Sequence, residues 1–168
     1  MKSVSYKPAN PVQKSALRHL LVQYFAALDW NDPKDAIPPS YVPKILARIA
    51  EMLDQGGFWV YLAREKGALC GFVIAQIDGE GKDWCKRPGW GFIRELYVTP
   101  GHRGRGIAGK LVRRAEASMR QSGASQVYLT TDLAGFWEAM GYADSGEVYE
   151  GNGGTIYVKA IGHAQPGI

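Results

Sequence analysis

The sequence predicts an α+β fold in one domain, with about seven strands and about four helices, and three observations carry that prediction. The chain has 168 residues, 46% of them hydrophobic, which is enough for one sizeable core and too little for a second. Two pairs of apolar segments, 58–63 with 68–77 and 142–149 with 155–160, flank glycine-bearing turns and read as hairpins. Between them an apolar run at 91–98 passes through a glycine-rich basic turn into a helical pattern at 107–121. The domain is expected to span 1–162, with 163–168 as a short tail.

The elements follow in order. Residues 4–7 read as a short strand, and Asn10-Pro11 supplies a cap followed by proline at the first helical position. Leu17, Leu20, Leu21, Tyr24, Phe25 and Leu28 then recur at helical spacing. Residues 29–39 form a loop by their prolines and aspartates, and a second helix over about 41–55 stops at Gly56-Gly57. Strands at 58–63 and 68–77 surround the turn 64–67, and 79–89 is a polar, glycine-rich connection. The strand 91–98, the glycine turn and the helix 107–121 come next, with Gly123 as the stop. A strand at 126–130, a short helix near 133–140 closed by Gly141, and the last hairpin around 151–154 complete the order β α α β β β α β α β β. There is no internal repeat or linker.

Charge is unevenly distributed. The net charge is +4, yet residues 86–120 hold nine Lys or Arg against Glu95 and Glu116, a local +7 that leaves −3 for the rest. So localised a charge suits one anionic ligand; a nucleic-acid surface would be an extended basic face interleaved with aromatics, so no nucleic-acid partner is expected. Cys70 and Cys85 offer neither a metal spacing nor a disulfide framework, and His19, His102 and His163 are too scattered for a metal site. With no secretion signal at the amino terminus and no apolar run of about 18 residues, no membrane partner and a cytoplasmic location are expected.

The glycine turn admits three phosphate-binding readings. Gly104 to Gly109 satisfies G-x-G-x-x-G, and Asp132 follows the next strand, as in a dinucleotide fold. Five residues separate the strand from Gly104, however, and only 36 follow Asp132, too few for the remaining parallel units. Gly104 to Lys110 also spells G-x-x-x-x-G-K, but Leu111 stands where a Ser or Thr must hold magnesium. In the third reading, Arg103-Gly-Arg-Gly-Ile-Ala108 matches Q/R-x-x-G-x-G/A, preceded by Glu95-Leu-Tyr-Val-Thr-Pro100 and followed by Phe136-Trp-Glu-Ala-Met-Gly-Tyr142. These three segments resemble, at matching spacing, the GNAT superfamily of acetyl-CoA-dependent N-acetyltransferases, whose element order is similar over essentially the whole domain. The resemblance implies a mixed, mostly antiparallel central sheet.

It also implies a chemistry: a neutral amine attacks the thioester carbonyl of acetyl-CoA within a ternary complex. The strand before the loop splays from its neighbour and pairs with the pantetheine arm through Leu96, Tyr97 and Val98. The backbone amides of Arg103, Gly104, Arg105, Gly106, Ile107, Ala108, Gly109 and Lys110 cradle the pyrophosphate, with charge from Arg103, Arg105 and Lys110. The donor to the developing oxyanion is a strand amide, that of Val98 or its neighbour.

Strict alternation over 91–98 places Ile93, Glu95 and Tyr97 on one face and Arg94, Leu96 and Val98 on the other. Glu95, the sole carboxylate of that strand, fits a general base; the alternative is a structural ion pair with Arg94, Arg103 or another basic neighbour. Trp137 stands where the family usually has an acidic Tyr, and an indole N–H is a donor but no usable acid. Tyr97, Tyr142 or solvent is left to protonate the thiolate, with Trp137 as a wall of the cofactor channel.

The acceptor is expected between the loop joining the first two helices and the final hairpin, near Trp30, Asp32, Asp35 and Glu147. Acidic residues there favour a cationic amine of a small molecule or peptide. A second class of function is a GNAT-like acyl-CoA sensor or scaffold: Trp137 speaks for it and Glu95 against it. Homodimers are common in the family, and no stretch here identifies an interface.

Overall fold

Seven strands form one sheet in the order β1-β2-β3-β4-β5-β7-β6 in a computed structural model that describes residues 4–9, 14–28, 33–84 and 86–162. The expected helix start at Asn10-Pro11, the loop residues Asp29, Trp30 and Asp32, Cys85, and the tail 163–168 with His163 lie outside those residues. The elements are β1 (Val4–Pro8), α1 (Lys14–Ala27), α2 (Val42–Gln55), β2 (Phe58–Glu65), β3 (Ala68–Ile77), β4 (Gly91–Val98), α3 (Ile107–Gln121), β5 (Gln126–Thr131), α4 (Ala134–Ala139), β6 (Ala143–Val148) and β7 (Thr155–Ala160). Short 3₁₀ turns at Pro33–Asp35 and Pro39–Tyr41 break up the stretch read as loop. Every neighbouring pair is antiparallel except β4 with β5. Among the described residues no helix is long and apolar enough to cross a membrane.

Both faces of the sheet are covered, which is why β3 is a nearly unbroken apolar run buried along most of its length. On one face α1 and α2 lay Leu17, Leu21, Val42 and Met52 over Phe58, Leu62, Phe72 and Tyr97. On the other, the apolar stripe of α3, Leu111, Val112, Ala115 and Met119, packs on Val73, Ala75, Ile93 and Val127, and Trp137 and Tyr142 extend this second core past α4. The helix comes so close that a Cβ on Gly91 would lie 2.5 Å from the Met119 sulfur, so any larger residue would have to displace that side chain. Glu116, buried on α3, accepts from the Tyr142 hydroxyl and from Lys159 Nζ, both at 2.9 Å, and so ties α3 to β7.

Two irregularities shape the centre. β4 and β5 pair only at Gly91–Val127 and Phe92–Tyr128, so beyond Phe92 the two strands part. Opposite β3, Glu95 pairs with Ile74 but Ile93 with Ala75, leaving Arg94 as an extra residue in a β-bulge. The bulge corrects the expected alternation. Ile93 joins Leu96 and Val98 on the α3 side, while Arg94 turns with Glu95 and Tyr97 toward the α1 and α2 side, over the ring of Phe58.

Candidate functional site

The glycine turn leads from β4 into α3 through a 3₁₀ turn at Pro100–His102. Gly104 and Gly106 have φ of +70° and +74°, a conformation that side chains resist, and a Cβ on either would meet nothing within 4 Å. The backbone therefore turns sharply with open space above it. No side chain caps the helix at Gly106, and the first helical bond runs from Lys110 N–H to the Gly106 carbonyl at 3.2 Å. The amides of Ile107, Ala108 and Gly109 precede that bond and point out of the positive end of the helix.

The loop is tied down by its neighbours. Glu65, at the end of β2, pairs with Arg105 and lies 3.3 Å from His102 Nε2, while His102 Nδ1 is 2.8 Å from the Thr99 hydroxyl. Arg103 Nε donates to the Val98 carbonyl at 3.0 Å, with its guanidinium over the Tyr97 ring. Beside the loop, Lys110, Arg113, Arg114 and Tyr6 line a cavity of about 340 Å³. The Tyr6 hydroxyl is buried with no hydrogen-bond partner among the described residues.

Next to this anion-suited end lies the parting of β4 and β5. Thr99 N–H donates to the Cys70 carbonyl at 2.9 Å, one step beyond the Val98–Gly71 pair. The antiparallel ladder alternates, so the N–H groups of Val98 and Leu96 turn away from β3 and into the gap, while Tyr97 bonds back to β3. A sheet edge with free donors inside a fold is a place for an extended ligand to pair.

Glu95 stands at the bulge beside this edge. Its carboxylate accepts a hydrogen bond from the Tyr24 hydroxyl of α1, 71 residues away in the chain. Tyr24 in turn packs edge-on against Phe72 and tilts over Tyr97, with ring centroids 5.6 and 5.7 Å apart. Burial raises the Glu95 pKa above the usual carboxylate value, opposed by the Tyr24 hydrogen bond and the Arg94 charge. Arg94 and Arg103 do not form the ion pair considered from sequence: Arg94 donates to Gln76 Oε1 at 2.9 Å, and Arg103 to Val98.

The remaining expected residues are more scattered. Trp137 is buried in the α3-side core, its ring 5.2 Å from that of Tyr142, and the Tyr142 hydroxyl is taken by Glu116. Asp35 is exposed in its 3₁₀ turn, and Glu147 pairs with Arg87 at 2.7 Å. Sequence reading missed Tyr24 and Glu65 as site residues. Nothing in the local pattern of either marks it, since each acts across the fold on a distant segment.

The Acetyltransferase (GNAT) family pattern matches residues 17–142. The chain belongs to the GNAT family. Many solved structures share the GNAT fold with it. A GNAT acetyltransferase from Brucella melitensis, solved with acetyl-CoA, is 21% identical with a TM-score of 0.66, covering 99% of this chain and 93% of its own. The PaiA N-acetyltransferase of Thermoplasma acidophilum, solved with coenzyme A, is 16% identical with a TM-score of 0.70, covering 94% and 99%. The ribosomal-protein-S18-alanine N-acetyltransferase of Escherichia coli is 13% identical with a TM-score of 0.64, covering 99% of each chain. No curated sequence relative matches. The GNAT architecture accounts for the fold expected from sequence, with the sheet mixed and mostly antiparallel.

Proposed function

We propose that this chain is an N-acetyltransferase that moves the acetyl group of acetyl-CoA to a primary amine of a small molecule or peptide, both substrates being bound at once. The observation that carries the reading is the meeting of three features: the uncapped, glycine-lined start of α3, the parted β4 edge, and a carboxylate of raised pKa at the bulge. The residues present fit the cofactor. Positive-φ glycines leave room over the loop amides, and an orphaned buried hydroxyl among three cations suits a phosphate. CoA-bound neighbours of the same fold support the same cofactor.

When bound, acetyl-CoA supplies an activated thioester whose C–S bond breaks as the amine N–C bond forms. The chain's residues do the rest. Leu96 and Val98 hold an extended arm by main-chain pairing, and the Val98 N–H is the donor available to negative charge at the carbonyl. Glu95 takes the proton of the amine, directly or through water; burial raises its pKa and so makes it a stronger base than an ordinary carboxylate. Tyr24 orients the carboxylate. Tyr97, on the face of Glu95, is the candidate proton donor at the leaving end, since Tyr142 is committed to Glu116. Trp137, buried in the α3-side core, serves as a wall on the cofactor side. A free, buried Cys70 agrees with a reducing cytoplasm.

Following free thiol from acetyl-CoA with a panel of amines tests the reading. Turnover should appear, and Glu95→Gln should cut kcat/KM on the order of 10²-fold or more with coenzyme A binding intact. Coenzyme A binding with no turnover of any amine would favour the sensor or scaffold reading instead, to which Trp137 in place of the usual Tyr and the engagement of Tyr142 by Glu116 lend their weight.

A further inference from the structure

The bulge in β4 has placed a second charged side chain beside Glu95. Arg94 is half-buried, with one guanidinium nitrogen donating to Gln76 Oε1 at 2.9 Å and its plane near the ring of Phe58. Gln76 is fully buried, and its amide is oriented by donating Nε2 to Asp78 Oδ1 at 2.8 Å and to the Asp83 carbonyl at 3.0 Å. Asp78 is itself fixed by the Tyr128 hydroxyl and by the N–H groups of Lys86 and Arg87 at 3.0 Å. Arg94 is thus held from behind by a neutral group on a rigid mount.

What it lacks is an anion. Arg94 makes no ion pair with any described carboxylate: Glu95 is taken by Tyr24, and Asp83 is held at 2.8 Å by both ends of the Arg48 fork. A guanidinium has five donors, and the described residues engage it at a single one. Burial outweighs the pull of the surrounding carboxylates and depresses its pKa, the condition a bound anion would relieve. Of the acidic residues expected at the acceptor entrance, Glu147 is paired with Arg87 and Asp144 accepts from the Gly146 N–H.

We infer that Arg94 is a specificity-determining residue, and that the acceptor is an amino-acid-like amine whose carboxylate pairs with Arg94 while its amine faces Glu95. The inference rests on the acetyltransferase reading above. Arg94 and Glu95 are consecutive residues that share a face at the bulge, so one small molecule bearing both an amine and a carboxylate can meet both. A planar fork with free N–H groups suits a carboxylate in the bidentate manner.

The test compares matched acceptors on the wild-type chain: lysine with cadaverine, and γ-aminobutyrate with propylamine. Two readouts are taken, thiol release with acetyl-CoA and calorimetric binding of each amine to the coenzyme A-saturated protein. The carboxylate-bearing member of at least one pair should be favoured roughly ten- to a hundredfold, chiefly through KM. Arg94→Gln should erase that preference with coenzyme A affinity kept as the check on folding, and Arg94→Lys should restore part of it. Equal use of both members of each pair, or a preference that survives in Arg94→Gln, overturns the inference while leaving the acetyltransferase reading standing. A binding preference without turnover of any amine sinks the acetyltransferase reading and upholds the carboxylate site.

Discussion

A carboxylate with a raised pKa makes stability depend on pH with a definite sign. Glu95 binds its proton more tightly folded than unfolded, so its contribution favours the fold below the ordinary value of 4.5 and is lost as pH rises through the folded pKa. Glu95→Gln, which never charges, should therefore melt higher than wild type at neutral and alkaline pH, and the difference should vanish below about pH 4.5; paired thermal scans across pH check it. Tyr24 acts on the same group in the opposite direction, because its hydrogen bond favours the charged form. Tyr24→Phe should move the acidic limb of the kcat/KM profile to higher pH while coenzyme A affinity holds. A profile that stays in place would remove Tyr24 from the mechanism. Neither residue's partnership could be read from the chain, since helical spacing alone assigns Tyr24 to the core and 71 residues separate it from Glu95.

Among the elements, the turn into α3 is the most sharply constrained. Gly106 stands at φ +74°, where an L side chain costs roughly 1–2 kcal/mol, and any side chain there stands over the amides meant for a phosphate. Gly106→Val should leave a folded protein, melting a few degrees lower, that no longer binds coenzyme A in calorimetry. The bounds of β4, α3 and β7 agree with the periodicity, because each is a long apolar pattern closed by glycine or by polar turn formers. Alternation along β4 was misleading for a physical reason. A bulge inserts one residue without altering the hydrophobic count, and Arg94 and Ile93 change faces although the local sequence looks like regular strand. The proposed phosphate loop stands out along the chain because glycines and cations sit together in sequence; Glu65, which pairs with its Arg105, sits on another strand.

At the scale of the whole molecule, two blocks of sheet, β1 to β4 and β5 with β7 and β6, meet at only two backbone pairs. α3 bridges them, and Glu116 is its polar link to Tyr142 and Lys159. Glu116→Ala would strand a buried hydroxyl and an ammonium at once, so a loss of about 3 kcal/mol is expected. For a chain of this size that corresponds to a fall of roughly 6–12 °C in Tm. Glu116→Gln, which still accepts from both, should lose less. The element order and the hairpins were readable along the chain because they depend on local pattern. The parting of β4 from β5 was expected only through the family resemblance, because no local pattern shows which strands fail to touch.

That parting gives the cofactor a structural share in the protein. An arm lying along Leu96 and Val98 would supply the rungs that β5 withholds, turning two loosely joined leaves into one continuous surface. Saturation to 100 times Kd adds about 2.7 kcal/mol by mass action alone. Protein saturated with the acyl carrier should therefore be stiffer across this seam and resist proteolysis longer than the unliganded chain.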